Sequence, residues 1–178
     1  NDRVDQQYIE DIYQSSILHD IGKVGTPDAL LLKPGELNDE EFTIIKRHTI
    51  MGGNALKAIE SQIEGKSFLA MGKEIAYNHH EKWDGSGYPR GLKGEAIPLS
   101  ARIIAVADVY DALTTKRFYK KAYSHEKAKA MIIRLKGKHF DPEIVEAFIA
   151  IEAEFNRVRK IKLKEETAYN QQRVQAAN

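Results

Sequence analysis

The sequence of 178 residues contains no cysteine, which excludes disulfides and thiolate-held metal sites and fits a reducing, cytoplasmic setting. It has no long apolar run. None exceeds residues 103–107, far short of the roughly 18 residues that a membrane-spanning helix needs, so no membrane contact is expected. The N-terminus shows neither a Met nor the apolar stretch of a signal peptide, and a chain starting at Asn1 reads as a fragment of a larger protein. There is no excess of charge of one sign either. The 27 Lys and Arg nearly balance the 26 Asp and Glu, and a net +1 gives no general attraction to a nucleic acid polymer. Phosphate binding therefore has to come from a local patch. Repeats and low-complexity tracts are missing as well. What remains, 42% hydrophobic and 30% charged, suffices for one domain with a full core.

The apolar pattern is helical. Tyr8, Ile9, Ile12, Tyr13, Ile17, Leu18 and Ile21 recur at steps of three and four, predicting a helix that ends near Gly22 or Gly25. Asn38 with Glu41 has the spacing of a capping box for a helix carrying Phe42, Ile45 and His48. Gly52-Gly53 is expected to interrupt or kink that helix. A further helix spans about 68–80. Residues 84–98 hold four glycines and two prolines, the mark of a long structured loop. Ser100 is read as the cap of an apolar helix through Leu113, and Ser124 and Asp141-Pro142 as two more helix starts. The last helix runs from Ile144 into a charged stretch, with a frayed end. No segment alternates with period two, so the fold expected is all-α, with one domain over 1–163 and a helical extension or frayed tail over 164–178.

Four pieces carry chemistry: His19-Asp20, His48, His79-His80 and Asp108. Imidazole and carboxylate without thiolate suit iron, manganese, zinc, cobalt or nickel. Helical bundles build metal sites from such inward-pointing side chains on several helices. Neighbours on an α-helix differ by about 100° in direction, so an adjacent pair can serve one centre only near the bundle interior. Six donors exceed what one catalytic ion with open positions requires. They suit two ions, with Asp20 the natural bridge because a carboxylate has two oxygens. Such a pair activates a bridging hydroxide and clamps a phosphoryl group for in-line displacement. An isolated His on a helix is usually structural, and His125 and His139 are read that way. The four pieces together are harder to explain so.

Leu18-His19-Asp20-Ile21-Gly22-Lys23 resembles the HD-domain phosphohydrolase motif. The string from His79-His80-Glu81 through Asp84-Gly85-Ser86-Gly87-Tyr88-Pro89 is similar to the extended motif of the HD-GYP subfamily, and Ala107-Asp108-Val109-Tyr110-Asp111-Ala112-Leu113 followed by Arg117 matches it too. The resemblance runs from about Leu18 to Phe148. It implies an HD-type helical bundle with a long GYP loop that hydrolyses cyclic di-GMP to linear pGpG or GMP in bacterial signalling. His19, Asp20, His48, His79, His80 and Asp108 would be metal ligands, with Asp20 bridging and iron or manganese foremost. A third metal in such proteins takes a further His and Glu from a preceding helix. No His precedes His19 here and Glu10 is the only Glu, so either the fragment omits that helix or the site is binuclear, and two metals are expected for the chain as given.

Lys23, three residues after Asp20, is placed against a substrate phosphate or the leaving oxygen if the helix persists through Gly22. No acidic residue stands between Asp111 and Glu126, where Lys116, Arg117, Lys120 and Lys121 lie. Arg117 is the strongest phosphate candidate because a guanidinium can grip with two parallel hydrogen bonds, and Lys120 adds a point charge. Lys116 and Lys121 read as solvated. Gly87 and Tyr88 are expected against the ligand, the glycine by close backbone approach. Asp111, one turn after Asp108, is a candidate for a guanine edge. Asp84 serves equally well as a turn cap, and Trp83 as core. By family likeness the GYP loop could instead dock a diguanylate cyclase (GGDEF) domain, with an upstream receiver or sensory domain and a homodimer among the expected partners. The rival readings are an HD phosphohydrolase for another nucleotide, such as cyclic GMP-AMP, and a non-catalytic cyclic di-GMP sensor.

Overall fold

The structure, a computed structural model, describes residues 4–63, 67–116 and 122–176. Eight α-helices are present among them: α1 Gln6–Ser15, α2 Asp28–Leu31, α3 Asp39–Glu60, α4 Phe68–Asn78, α5 Leu99–Thr114, α6 His125–Arg134, α7 Pro142–Ala150 and α8 Glu152–Ala176. No strand occurs among the described residues, apart from one isolated bridge between Lys136 and Phe140. The all-α expectation holds. None of the described helices is long and apolar enough to cross a membrane.

Local signals start most helices where the sequence predicts. Asn38 accepts from the Glu41 N–H while the Glu41 carboxylate accepts from the Asn38 N–H, a complete capping box. Ser124 caps α6, and Asp141 caps α7 with Pro142 in its first turn. Ser100 is not a cap. The helix opens at Leu99 after Pro98, whose fixed φ already suits a helix start, and the Ser100 hydroxyl lies 3.5 Å from Glu74 instead.

Two expectations about α1 and α3 are corrected. The helix α1 stops at Ser15, well before Gly22. Ser15 and Ser16 turn their hydroxyls back onto the carbonyls of Asp11 and Tyr13, and the chain tightens into 3-10 turns at Ser16–Leu18 and Ile21–Gly25. Nor does α3 break at Gly52-Gly53. It runs through both, because the glycines serve close approach. A Cβ on Gly22 would stand 2.0 Å from the His48 carbonyl oxygen, and one on Gly53 would meet the Tyr77 ring at 2.4 Å. The HD turn is thereby pressed directly onto the backbone of α3.

Helix α4 packs against α1, α3 and α5, and α5 against α6 and α7. Ile75 and Ala76 of α4 are fully buried, while Tyr110, Leu113, Ile132, Phe140, Val145 and Phe148 make the core beyond α5. Burying side chains such as Ile132 and Phe148 stabilises the bundle by about 1.5–3 kcal/mol each. The helix α8 passes through Leu163 without interruption. This packing sets the inner faces of α3, the C-terminal end of α4 and the middle of α5 around the HD turn.

Candidate metal centre

The bend between the two 3-10 turns solves the problem of the adjacent pair. His19 and Asp20 sit where the chain leaves α-helical geometry, and both face the same point. Histidine 48 comes from the middle of α3, and His79 from the cap position of α4 with His80 directly after it. Ligand atoms of Asp20, His48, His79 and His80 all lie within 4.8 Å of one another. Histidine 19 joins them, with Nε2 3.2 Å from Asp20 Oδ2 and 3.9 Å from Asp108 Oδ1 on α5. Four of the six expected donors thus share one cluster, and His19 and Asp108 flank it on the Asp20 side.

Hydrogen bonds fix which atoms face inward. The Nδ1 atoms of His19, His48 and His79 lie 2.7, 2.6 and 3.0 Å from the carbonyl oxygens of Ser16, Ile45 and Ile75. A carbonyl can only accept, so each Nδ1 carries the proton; the Nε2 atoms of His48 and His79 then present lone pairs, while His19 Nε2 lies against the Asp20 carboxylate. Burial, then the neighbouring His19, push His79 down to about 4. Burial and the charges of His79 and His48 push His80 to about 2. His48 is lowered mainly by burial. These rings are neutral at neutral pH, the form that binds a cation.

Asp20 is ionised. Burial opposes this, but hydrogen bonds from His19 and Lys23 hold its carboxyl well below the usual range, Lys23 Nζ lying 2.5 Å from Oδ2. The helix-face argument for Lys23 is corrected, since the 3-10 turn, not an α-helix, brings it there. His19 is raised, burial being outweighed by its bond to Asp20.

Asp20 Oδ1 is buried and accepts no hydrogen bond among the described residues. It stands 3.4 Å from His48 Nε2 and 3.8 Å from His79 Nε2, and those two nitrogens are 3.4 Å apart. Three acceptors thus converge with no donor among them, an arrangement that costs free energy unless a cation fills it. The residues fit a divalent metal. Oδ1 faces His48 and His79 while Oδ2 faces His19, so one carboxylate addresses both halves of the cluster.

Around this centre the GYP loop is built by a residue whose role the sequence reading missed. Glu81 is 2% exposed, and its carboxylate accepts from the backbone N–H groups of Arg90 and Leu92 at 2.7 and 3.0 Å. Its only sequence signal was its place after His79-His80. Asp84 caps the turn through Ser86, one of the two readings open for it. Trp83 and Asp84 donate their N–H groups to the carbonyls of His139 and Lys138. Tyr88, joined to Pro89 by a cis peptide, stacks on His80 with ring centroids 4.8 Å apart. Burial and the carboxylates of Asp20 and Asp108 raise its hydroxyl further. Gly87 is packed on the backbone of Glu81 and Lys82, where a Cβ would meet Lys82 N at 2.3 Å.

Not every expected substrate contact joins the cluster. The Asp111 carboxylate is paired with Lys162 of α8 at 2.6 Å, on the rim of a largely apolar pocket of about 370 Å³ between α5 and α8. Arg117 and Lys120 lie outside the described residues. His125 is buried between Tyr110 and Glu152, and His139 stacks on Phe140, so neither belongs to the centre.

Comparison with known proteins agrees with this geometry. A family model described as "HD domain" matches residues 2–144. A cyclic di-GMP phosphodiesterase of Vibrio cholerae is 60% identical over 148 residues, covering 83% of this chain and 30% of that protein. One from Thermotoga maritima is 47% identical over 163 residues, covering 92% and 43%. A 3′3′-cGAMP-specific phosphodiesterase of Vibrio cholerae is 43% identical over 148 residues, covering 83% and 27%. The chain thus spans less than half the length of these relatives. A solved cyclic GMP-AMP specific phosphodiesterase of Vibrio cholerae superposes with a TM-score of 0.59 at 21% identity, over 83% of this chain and 39% of that one, a likeness of fold.

Proposed function

The chain belongs to the HD domain family, and from that premise we propose that it is a phosphodiesterase of the HD-GYP type, hydrolysing cyclic di-GMP to linear pGpG, GMP or both. The observation that carries the reading is the meeting of the Asp20, His48, His79 and His80 donor atoms within 4.8 Å. The relatives named for cyclic di-GMP support the substrate. His19, His48, His79, His80, Asp20 and Asp108 would hold two divalent ions, with Asp20, whose two oxygens face different histidines, able to serve both. Nitrogen and oxygen donors without thiolate favour iron or manganese, with zinc, cobalt and nickel as alternatives. Glu10 is exposed and bonded to Gln6, so it offers no ligand to a third ion.

When bound, the ions supply an acidified water and positive charge at the phosphoryl oxygens. The chain's own groups do the rest. Lys23 keeps Asp20 ionised and sets an ammonium beside the place of the scissile phosphate. Arg117 and Lys120 are assigned to the phosphates on charge and reach, the guanidinium gripping two oxygens at once. Tyr88, stacked on His80, forms a wall that orients the ligand and keeps water out. Gly87 lets the loop close onto Glu81 so that this wall stands. Water attacks phosphorus in line with the departing 3′-oxygen, and the nearby cations offset the charge that develops there. Asp111 is the weakest assignment because Lys162 holds its carboxylate.

The cyclic GMP-AMP-specific relative favours a second reading, the same chemistry on that substrate. The complete donor set counts against a mere sensor. A cytoplasmic setting, an upstream receiver or sensory domain, self-pairing, and a GGDEF domain docked on the GYP loop belong to the same proposal. The test is anaerobic purification, metal quantification and product chromatography on cyclic di-GMP and cyclic GMP-AMP. Linear pGpG or GMP formed only by metal-loaded protein supports the reading. Metal and ligand bound without linear product favours the sensor.

A further inference from the structure

Beside the metal centre the first half of α3 carries an aromatic ring at the surface. Phe42 is 42% exposed, and it is the first apolar residue after the capping box. Its ring meets that of Tyr88 edge to face, with centroids 6.0 Å apart at 83°. Tyr88 in turn stacks on His80. Three rings thus lead outward from the metal cluster in the order His80, Tyr88, Phe42. Lys46, one turn along α3, holds its ammonium 4.7 Å from the centre of the Phe42 ring and 5.7 Å from that of Tyr88. A Phe–Lys pair at this spacing is an ordinary helix-surface contact by itself. Its continuity with Tyr88 and His80 gives it a direction.

We infer that Phe42 and Lys46 form the subsite for one guanine base of the cyclic dinucleotide. The inference rests on the functional reading above. A scissile phosphate held at the cluster leaves its nucleoside to extend along the surface, and the row of rings is a path it can follow. Base stacking on an aromatic side chain accepts any base, so Phe42 supplies affinity without choice. Lys46 supplies the choice. Guanine presents two acceptors, N7 and O6, along one edge, whereas adenine sets an amino donor beside its N7. An ammonium at that edge gains with guanine and is repelled by the adenine amino group.

The test is steady-state kinetics of metal-loaded Phe42→Leu, Phe42→Trp and Lys46→Gln proteins, with metal content and Tm recorded for each. The substrates are cyclic di-GMP, cyclic di-AMP and methyl p-nitrophenyl phosphate, a diester without a base. For Phe42→Leu the ratio of kcat/KM on cyclic di-GMP to that on the base-free diester falls about tenfold, chiefly through KM, and Phe42→Trp restores it. Lys46→Gln lowers the preference for cyclic di-GMP over cyclic di-AMP about tenfold. Equal losses on both kinds of diester in Phe42→Leu, or an unaltered base preference in Lys46→Gln, overturn the subsite while the phosphodiesterase reading stands. An unsubstituted protein that cleaves the base-free diester but no cyclic dinucleotide overturns the functional reading, and the subsite with it.

Discussion

The Nε2 atoms of His48 and His79 face each other across 3.4 Å while both Nδ1 atoms are committed to backbone carbonyls. Neither neutral ring can donate to the other, and burial resists protonating either. A cation that binds only the folded state relieves this opposition and stabilises the fold. At a thousandfold excess over its Kd the gain is about 4 kcal/mol. Removing metal with a chelator should therefore lower the Tm, followed by circular dichroism, by about 10 °C for a chain of this size. An unchanged Tm counts against the site.

Gly22 and Gly25 differ in what a methyl group would meet. At Gly22 it strikes the His48 carbonyl and the Gly52 backbone, which cannot move without shifting α3. At Gly25 it strikes only the Met51 methyl end, which can turn aside. Gly22→Ala should prise the HD turn off α3, separating His19 and Asp20 from His48. Bound metal is lost and Tm falls, by about 3 kcal/mol of stability or more. Gly25→Ala should cost less than about 1 kcal/mol and keep its metal. Equal behaviour of the two variants in metal analysis and thermal melts contradicts the close-packing account.

Glu81 ties the GYP loop to α4 through two backbone N–H groups. Glu81→Ala orphans both, at a cost of about 3 kcal/mol, or a Tm drop of about 6–12 °C. Hydrogen exchange at the amides of Arg90 and Leu92 should rise by at least about a hundredfold. Amides that remain protected mean the loop is held by something else.

His139 is lowered from its ordinary 6.5 to about 4, first by burial and then by Lys82. Its folded form prefers the neutral ring, so the unfolded chain binds more protons between those values. The contribution is fully present above pH 6.5 and is lost as pH falls towards 4. Urea denaturation across pH 4–7 should show stability falling with acid more steeply in the unsubstituted protein than in His139→Phe. Parallel pH dependences exclude His139 as a source of that slope.

What was legible in the sequence was either local or carried by motif. The capping box at Asn38, the caps at Ser124 and Asp141, and the all-helical fold follow from neighbours a few residues apart. The six metal candidates stood out by residue type, and the structure brings four of them into one cluster with His19 and Asp108 beside it. Relations between distant segments were not legible. Gly52-Gly53 reads as a helix breaker until Gly22 is seen against it. The continuation of α1 through His19 fails because two serines turn back on the helix, a competition that periodicity does not register. Glu81 was missed because its partners are backbone N–H groups, which no residue pattern displays.

The most direct measurement is the metal content of anaerobically purified protein beside that of His79→Ala. The account predicts about two equivalents of iron or manganese per chain in the unsubstituted protein. In His79→Ala it predicts fewer than about one, with helical circular dichroism retained. A chain that binds no transition metal, or a substitution that leaves the content unaltered, contradicts it.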